Sequence, residues 1–469
     1  MSAQNKISYR AEAFSLVGSG DHSPFWATSN TYGTVSLEPN NVYGKAGAFY
    51  ERRFSDNFSL QAGIDVVAAT KQYSSVWLQQ LYADLDYKIL RLTIGSKENY
   101  RSMLDKNLSL GDFTHSTNSR PIPGVSLNIP EFTNIPFTKN RLKFKADFFV
   151  GKSFDNNYIR DTKSETSPYT VDVLWHHKSL YVLLEDKDWT PFFVLVGLDH
   201  AVQWGGWTTF RNEGNLPHSL KDFLRIAMGK QGGSDSLDGE QVNALGNHIG
   251  TSNLKIGFRS EKFQAAAYKQ HFFDDRSGME FQNWRDGNWG IEVQFPEFPY
   301  LQKAVLEYFQ STNQSGPMHF LEYEQTMGRN PRGGGNDDYY NHEFYFSGWS
   351  YYGRGLGNPL ITSPGYNKDN SLYFKNNRLK AVHLGMEGII TSEFSYRTLF
   401  TGMKSWGRMR IPFLNPKDNF SSLLECVYKP TKYNDWTFSG QLSFDKGDIY
   451  GDNFGFAVKV KKEGVLFDK

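Results

Sequence analysis

Apolar and polar residues alternate with a period of two along most of this chain. In 141–150, Leu142, Phe144, Ala146, Phe148 and Val150 fall on one face, and Arg141, Lys143, Lys145 and Asp147 on the other. In 81–88, Leu81, Ala83, Leu85 and Tyr87 oppose Tyr82, Asp84, Asp86 and Lys88. In 436–444, Trp436, Phe438, Leu442 and Phe444 oppose Thr437, Ser439, Gln441 and Ser443. The pattern recurs in 7–17, 43–53, 58–68, 254–259, 304–310, 379–388, 394–402 and 454–461. Successive side chains of a strand point to opposite faces, so these segments read as strands with one apolar face.

The connections have two lengths. Ser55-Asp56-Asn57 and Arg259-Ser260-Glu261-Lys262 are tight, whereas 100–140, 205–250, 311–345 and 348–377 are long. Long structureless loops sit badly in a compact soluble domain. They suit a membrane barrel, with short turns at one rim and long loops at the other. One stretch reads as helix. In LPHSLKDFLRIAMG, Ser219 and Asp222 offer capping chemistry, and Leu220, Phe223, Leu224 and Ala227 share a face.

Composition sharpens this reading. Aromatic residues make up 16 % of the chain, and flat rings favour a pleated surface. Mean hydropathy is −0.55, and no run of 18 apolar residues exists to form a membrane-spanning helix. Barrel strands need only one apolar face, so a membrane barrel is compatible with both facts. Fully charged opposite faces, such as that of 141–147, suit a hydrated lumen. The prediction is an all-β, closed antiparallel transmembrane β-barrel with long loops and a few short helices, forming a single domain over 1–469. The rival is a soluble β-sandwich, whose strands also alternate. A net charge of +1 lacks the basic excess of a nucleic-acid binder. The lone Cys426 excludes an intrachain disulfide and a cysteine metal site. Ser2-Ala3-Gln4 reads as the remnant of a removed signal peptide, or else as an ordinary start.

Several segments carry candidate chemistry. Residues 23–33, SPFWATSNTYG, read either as a lumen plug and ligand platform or as a packing loop. Asp199 and His200 stand side by side, without the context of a Ser or Cys nucleophile. The histidines and carboxylates of 246–250 and 270–275 show no zinc or calcium spacing. Among Glu213, Glu240, Asp274, Asp275 and Glu280 a hydrolytic pair could hide, but such pairs are defined in space, and solvated carboxylates are the plainer reading. The stretch GWSYYGRGLGNPLITSPGYN, 348–367, crowds rings among glycines and prolines. Trp349, Tyr351, Tyr352, Arg354 and Asn358 offer flat faces and polar donors, as sugar binding requires, and Trp204 and Trp207 offer further rings. A membrane-interface girdle and packing of a folded-in loop are the competing readings.

The ordered set SPFWATSNTYG, DHAVQWGG, LPHSLKDFLR, LGNHIG, QHFFDDRSGMEFQNWRDGNWGIE, EYFQSTNQSGP, DDYYNHEFYFSGWSYYGRGLGNPL and NNRLKAVHLGMEG spans Ser23 to Gly388. In it the chain resembles the Wzi-like capsule-assembly outer-membrane proteins. The resemblance implies about 18 strands, helical elements at the periplasmic side, and a lectin-like role in holding surface polysaccharide. It implies no catalytic residue. The chain departs in ending GVLFDK, without a terminal aromatic.

The leading expectation is therefore a non-enzymatic, polysaccharide-binding protein of the Gram-negative outer membrane. Its expected partners are capsular or surface polysaccharide, outer-membrane lipid and other outer-membrane proteins, with no nucleic acid, cofactor or metal. The alternatives are a porin or sugar-transport barrel and, behind it, a soluble glycan-active enzyme.

Overall fold

The computed structural model describes residues 4–186, 188–230, 244–320 and 332–469. Eighteen strands form one sheet. They are β1 (Gln4–Ser19), β2 (Asn41–Ser55), β3 (Phe58–Ala69), β4 (Val76–Tyr87), β5 (Leu90–Ser96) and β6 (Gly124–Asn134). Next come β7 (Leu142–Lys152), β8 (Leu174–Glu185), β9 (Phe192–Trp204), β10 (Asn247–Arg259), β11 (Gln264–Phe273) and β12 (Gly287–Gln294). The last six are β13 (Lys303–Gln310), β14 (Leu379–Ile389), β15 (Phe394–Gly407), β16 (Pro412–Tyr428), β17 (Trp436–Gly447) and β18 (Asn453–Asp468). Each pairs antiparallel with its successor, and β1 pairs with β18, Leu16 facing Ala457 and Ile7 facing Phe467. The cylinder closes, so no backbone edge is left unpaired, as hydrocarbon surroundings demand. The last strand thus runs through Phe467 although no aromatic ends the chain.

The alternation sorts side chains between lipid and lumen. Val66, Ile94, Leu127, Val196, Leu254, Ile291, Leu424 and Val458 point outward and are exposed, while Asp65, Asp84, Asp147 and Glu425 point inward and are buried. Inward charges are paired, because an unpaired buried charge is costly. Arg10 pairs with Asp65, Lys45 with Glu98 at 2.7 Å, Lys143 with Glu185 at 2.7 Å, and Lys255 with Glu292 at 2.6 Å.

The two rims differ sharply. Turns at 56–57, 88–89, 260–263 and 390–393 lie at the same rim as both termini. The connections at 20–40, 97–123, 153–173, 205–246 and 311–378 all lie at the other. In outer-membrane barrels short turns face the periplasm and long loops the exterior. Stacked rings ornament the short-turn rim: Phe54 on Phe58 at 5.1 Å, Phe258 on Phe263 at 5.3 Å, and Phe394 on Tyr428 at 4.6 Å. Membrane barrels carry an aromatic girdle at this level.

Among the described residues, four short α-helices, α1 (Phe25–Thr28), α2 (Asn156–Thr162), α3 (Leu220–Ala227) and α4 (Arg276–Met279), all belong to long-rim connections. The resemblance implies helical elements at the periplasmic side; here, among the same residues, the short-turn rim carries only the 3-10 turns Pro299–Leu301 and Thr431–Tyr433, and the α-helices sit at the opposite end. α3 has its full capping box between Ser219 and Asp222. It lies on the outer wall, where the Phe223 ring packs 5.5 Å from Trp204 and the Lys178 ammonium donates to the Ala227 carbonyl. Leu220 and Leu224 do not join Phe223 against the barrel. Ile226 does, and the two leucines face outward, as for a helix lying in a lipid interface.

Candidate functional site

The connection 97–123 runs down into the lumen as a strap. Glu98 binds Lys45 and Gln79 near its start. Arg101 pairs with Asp147 of β7 at 2.6 Å, and the Lys255 ammonium of β10 donates to the Met103 carbonyl. Asp105 reaches Lys303, the first residue of β13 at the short-turn rim, at 2.7 Å. The chain then climbs back. Glu307 of β13, itself buried, accepts from Ser109 Oγ at 2.7 Å and from the Leu110 N–H at 2.6 Å. The Gln270 side-chain amide oxygen, Oε1, accepts from the Phe113 N–H at 3.1 Å. The strap thus binds opposite walls at several depths.

Above it folds the aromatic stretch that stood out in the sequence. Trp349 is wholly buried, its indole N–H donating to the Thr114 carbonyl at 2.8 Å and its ring edge-on to Trp175 at 4.9 Å. Tyr351 is buried, with its carbonyl accepting from Ser119 Oγ. Arg354 is buried and donates to the Val35 carbonyl at 2.5 Å. Asn358 is wholly buried, its amide donating to Gly111 O at 2.7 Å. These four side chains hold the plug together and present no face to a sugar. The same plug takes in 23–33: Trp26 Nε1 donates to Thr401 Oγ1 at 3.0 Å, and the Phe25 N–H donates to Asp445.

Tyr352 is the exception, for a local reason. Ser350–Tyr351 and Arg354–Gly355 pair as a tiny hairpin. The two residues between them, Tyr352 and Gly353, both have positive φ, 50° and 70°, as a two-residue hairpin turn of type I′ requires. A Cβ on Gly353 would lie 2.1 Å from Tyr158 Oη, so any other residue would have to push that ring aside and take up a positive φ. The turn lifts Tyr352 to the rim beside Tyr158 (centroids 5.9 Å) and Tyr73 (6.4 Å). The Arg120 guanidinium is sandwiched between Trp77 and Tyr352, 3.8 and 4.5 Å from their centroids. Tyr73 is 44 % exposed and donates to Asp161 at 2.6 Å. Neither Tyr73, Tyr158 nor Arg120 was singled out in the sequence. The signal for the turn was the Tyr-Gly pair; nothing local marked its neighbours.

Trp204 and Trp207 part company. Trp204 is buried beneath α3 on the outer wall, whereas Trp207 is half-exposed beside Tyr169, at 6.1 Å, in a small sheet at the long-loop rim. Asp199 and His200 do not face each other. As strand neighbours they point to opposite sides, Asp199 to Tyr181 and Asn253 in the lumen, His200 to His248 at 2.8 Å on the outer wall. Asp274 and Asp275 converge with Asp337, their ligand oxygens within 4.8 Å of one another. Burial, and after it the charges of Asp337 and Asp275, raise the Asp274 carboxyl well above its usual range. Asp275 is already engaged in capping α4 at Gly278. Glu213 and Glu280 are not in that group, and Glu240 lies outside the described residues.

Asp155 supports the Tyr352 turn, accepting from its N–H at 3.2 Å. Burial lifts its carboxyl to about 7, and the Tyr352 N–H only partly offsets this. A carboxyl with a raised pKa in the folded state costs stability when ionised. That cost is absent below the unfolded value of about 3.9 and accumulates as pH rises towards about 7. Asp155→Asn keeps an acceptor and cannot ionise. Hydrogen exchange of 153–163 should therefore slow in the variant at pH 8 and match the parent near pH 4. Equal exchange at both pH values would show that Asp155 carries no such cost.

Comparisons with known proteins bear on the family and the fold. The family model for capsule assembly protein Wzi matches residues 21–362. Wzi of Escherichia coli, described as an outer-membrane protein involved in group 1 capsule assembly and a carbohydrate-binding β-barrel, shares the fold. It matches with a TM-score of 0.57 at 12 % identity, over 97 % of this chain and 83 % of that one. Pseudomonas aeruginosa OccD3 (OpdP) matches with a TM-score of 0.49 at 9 % identity, over 99 % of this chain and 92 % of its own. OccK5 (OpdH) of the same organism gives the same score and identity, over 99 % and 98 %. No curated protein matches. With the family model covering most of the sequence and the barrel closing at eighteen strands, the chain belongs to the Wzi capsule assembly protein family.

Proposed function

We propose that this outer-membrane barrel holds an extended capsular or surface polysaccharide against its long-loop rim, at the tyrosine cluster Tyr73, Tyr158 and Tyr352. The observation that carries this reading is a tyrosine cluster at the rim, Tyr73 exposed and Tyr158 and Tyr352 partly exposed, raised by a positive-φ turn above a strapped lumen. The rings stand tilted or edge-on to one another, and flat ring faces suit the apolar faces of pyranose units; Asp161 supplies an acceptor for hydroxyls nearby. Trp207 with Tyr169 offers a second stacking point, and several weak points along a polymer raise overall avidity. The strap argues against a diffusion channel, the second reading. Asp275, spent on a helix cap, argues against a hydrolytic pair with Asp274.

Retention of purified capsular polysaccharide by the detergent-solubilised protein tests the proposal. Changing Tyr73 and Tyr352 together to Ala should weaken retention roughly thirtyfold, at about 1 kcal/mol per lost ring, with the melting temperature nearly unchanged. The polymer should leave with its chain length intact. Undiminished retention in the folded double variant would remove the cluster from the site, and steady release of oligosaccharides would make the protein an enzyme.

A further inference from the structure

The outer wall is not uniform at the long-loop rim. At the long-loop ends of β1, β2, β4, β5 and β6 the lipid-facing residues are Val17, Val42, Val76, Ile94 and Val125, all exposed. Across β14–β17 the corresponding row is charged. Lys380 faces Lys404, and Lys404 faces Asp418. In the row below, Val382 faces Gly402, Gly402 faces Phe420, and Phe420 faces Lys446. The missing side chain of Gly402 opens a shallow hollow of about 590 Å³ between Val382 and Phe420. Beneath the hollow the wall is apolar again, with Leu306, Phe400 and Phe444 exposed.

Three lysines on four adjacent lipid-facing strands are unusual for a barrel wall. A lysine costs several kcal/mol at the midplane and little at the interface, so the row marks the headgroup level. Lys404 lies 3.6 Å from Asp418, with both largely solvent-exposed. Lys380 and Lys446 make no ion pair among the described residues, and thus have charge to offer. Lysine binds phosphate as a point charge. Three lysines around the hollow outnumber its two carboxylates, Asp418 and Asp448, and the hollow runs into an apolar wall; this complements an amphiphile with an anionic, sugar-bearing head and acyl chains.

We propose that this hollow seats a phosphorylated glycolipid of the outer leaflet. Its phosphate lies among Lys380, Lys404 and Lys446, an acyl chain crosses Gly402 towards Phe400, and Asp418 accepts sugar hydroxyls. The seat is separate from the tyrosine cluster and does not depend on it.

The test uses the full chain in detergent with diphosphorylated lipid A as probe, followed by native mass spectrometry. One bound lipid A should persist, and phosphatidylcholine should not replace it. A Cβ at residue 402 meets no atom within 4 Å, so Gly402→Trp fills the hollow from outside without disturbing the wall. Its lipid A affinity should fall at least tenfold. Lys380→Gln with Lys446→Gln should lower affinity similarly and remove the preference for diphosphorylated over dephosphorylated lipid. That double variant touches only the Lys380–Trp406 contact at the surface, and so decides the matter if Gly402→Trp does not assemble. Excess inorganic phosphate should compete poorly, because it lacks the chains. Equal binding of lipid A and phosphatidylcholine by the parent, undiminished binding by the lysine variant, or full displacement by inorganic phosphate would overturn the proposal.

Discussion

Replacing residues 102–118 with a short Gly-Ser linker should turn a closed barrel into a conducting one. In planar bilayers the parent should show little current, and the variant discrete ohmic steps. The removed segment spans the lumen from Arg101–Asp147 down to the Lys303 level and back to Gln270. β5 and β6 pair directly, Ile94 facing Val125, so the sheet needs no strap to close. Loop shortening itself changes closure entropy only slowly with length. The deletion leaves Glu307 with its other two donors, Tyr268 Oη and Asn288 Nδ2, at 2.6 and 2.7 Å, and water can solvate it. The barrel should still run with heat-modifiable mobility. Current no greater than that of the parent would show that other segments seal the lumen.

Trp349→Ala should be the most damaging single ring deletion in the plug. The side chain is wholly buried, and truncating a buried aromatic typically costs about 3–5 kcal/mol. It also frees the Thr114 carbonyl from its indole donor. The loss falls on the plug, not on the wall. Hydrogen exchange should therefore accelerate in 110–118 and 340–361, while the strand ladder stays protected. Tyr352→Ala should cost far less stability and more glycan retention. If Trp349→Ala instead left exchange unchanged and abolished retention, the buried tryptophan would have to become a ligand contact through an opening of the plug.

Strands such as β7 and β17 were legible because lipid on one side and paired charge on the other impose a strict two-residue period. The eighteen-strand closure came only with the resemblance, since periodicity says nothing of how many strands meet. The fate of 348–367 was not legible. A Gly-Pro-rich aromatic run looks the same whether it folds into a lumen or stands on a rim. What decides is Thr114, Trp175 and Val35, partners far away in the chain. Tyr73 escaped notice for the same reason, being one ring in a six-residue turn until Tyr352 is brought to it. The Asp199–His200 pairing could have been dismissed earlier, because strand neighbours cannot face each other.

The strap has a consequence for the order in which the molecule is made. It leaves the ribosome after β5, yet many of the groups that grip it, on Lys255, Gln270, Glu307 and His383, belong to strands made later. The seam between β1 and β18 cannot shut until the last strand arrives. The strap's native grip and the shutting of the seam therefore depend on the same late strands: the mandrel is fully held only when the sheet is fully rolled, and the closed seam locks it in.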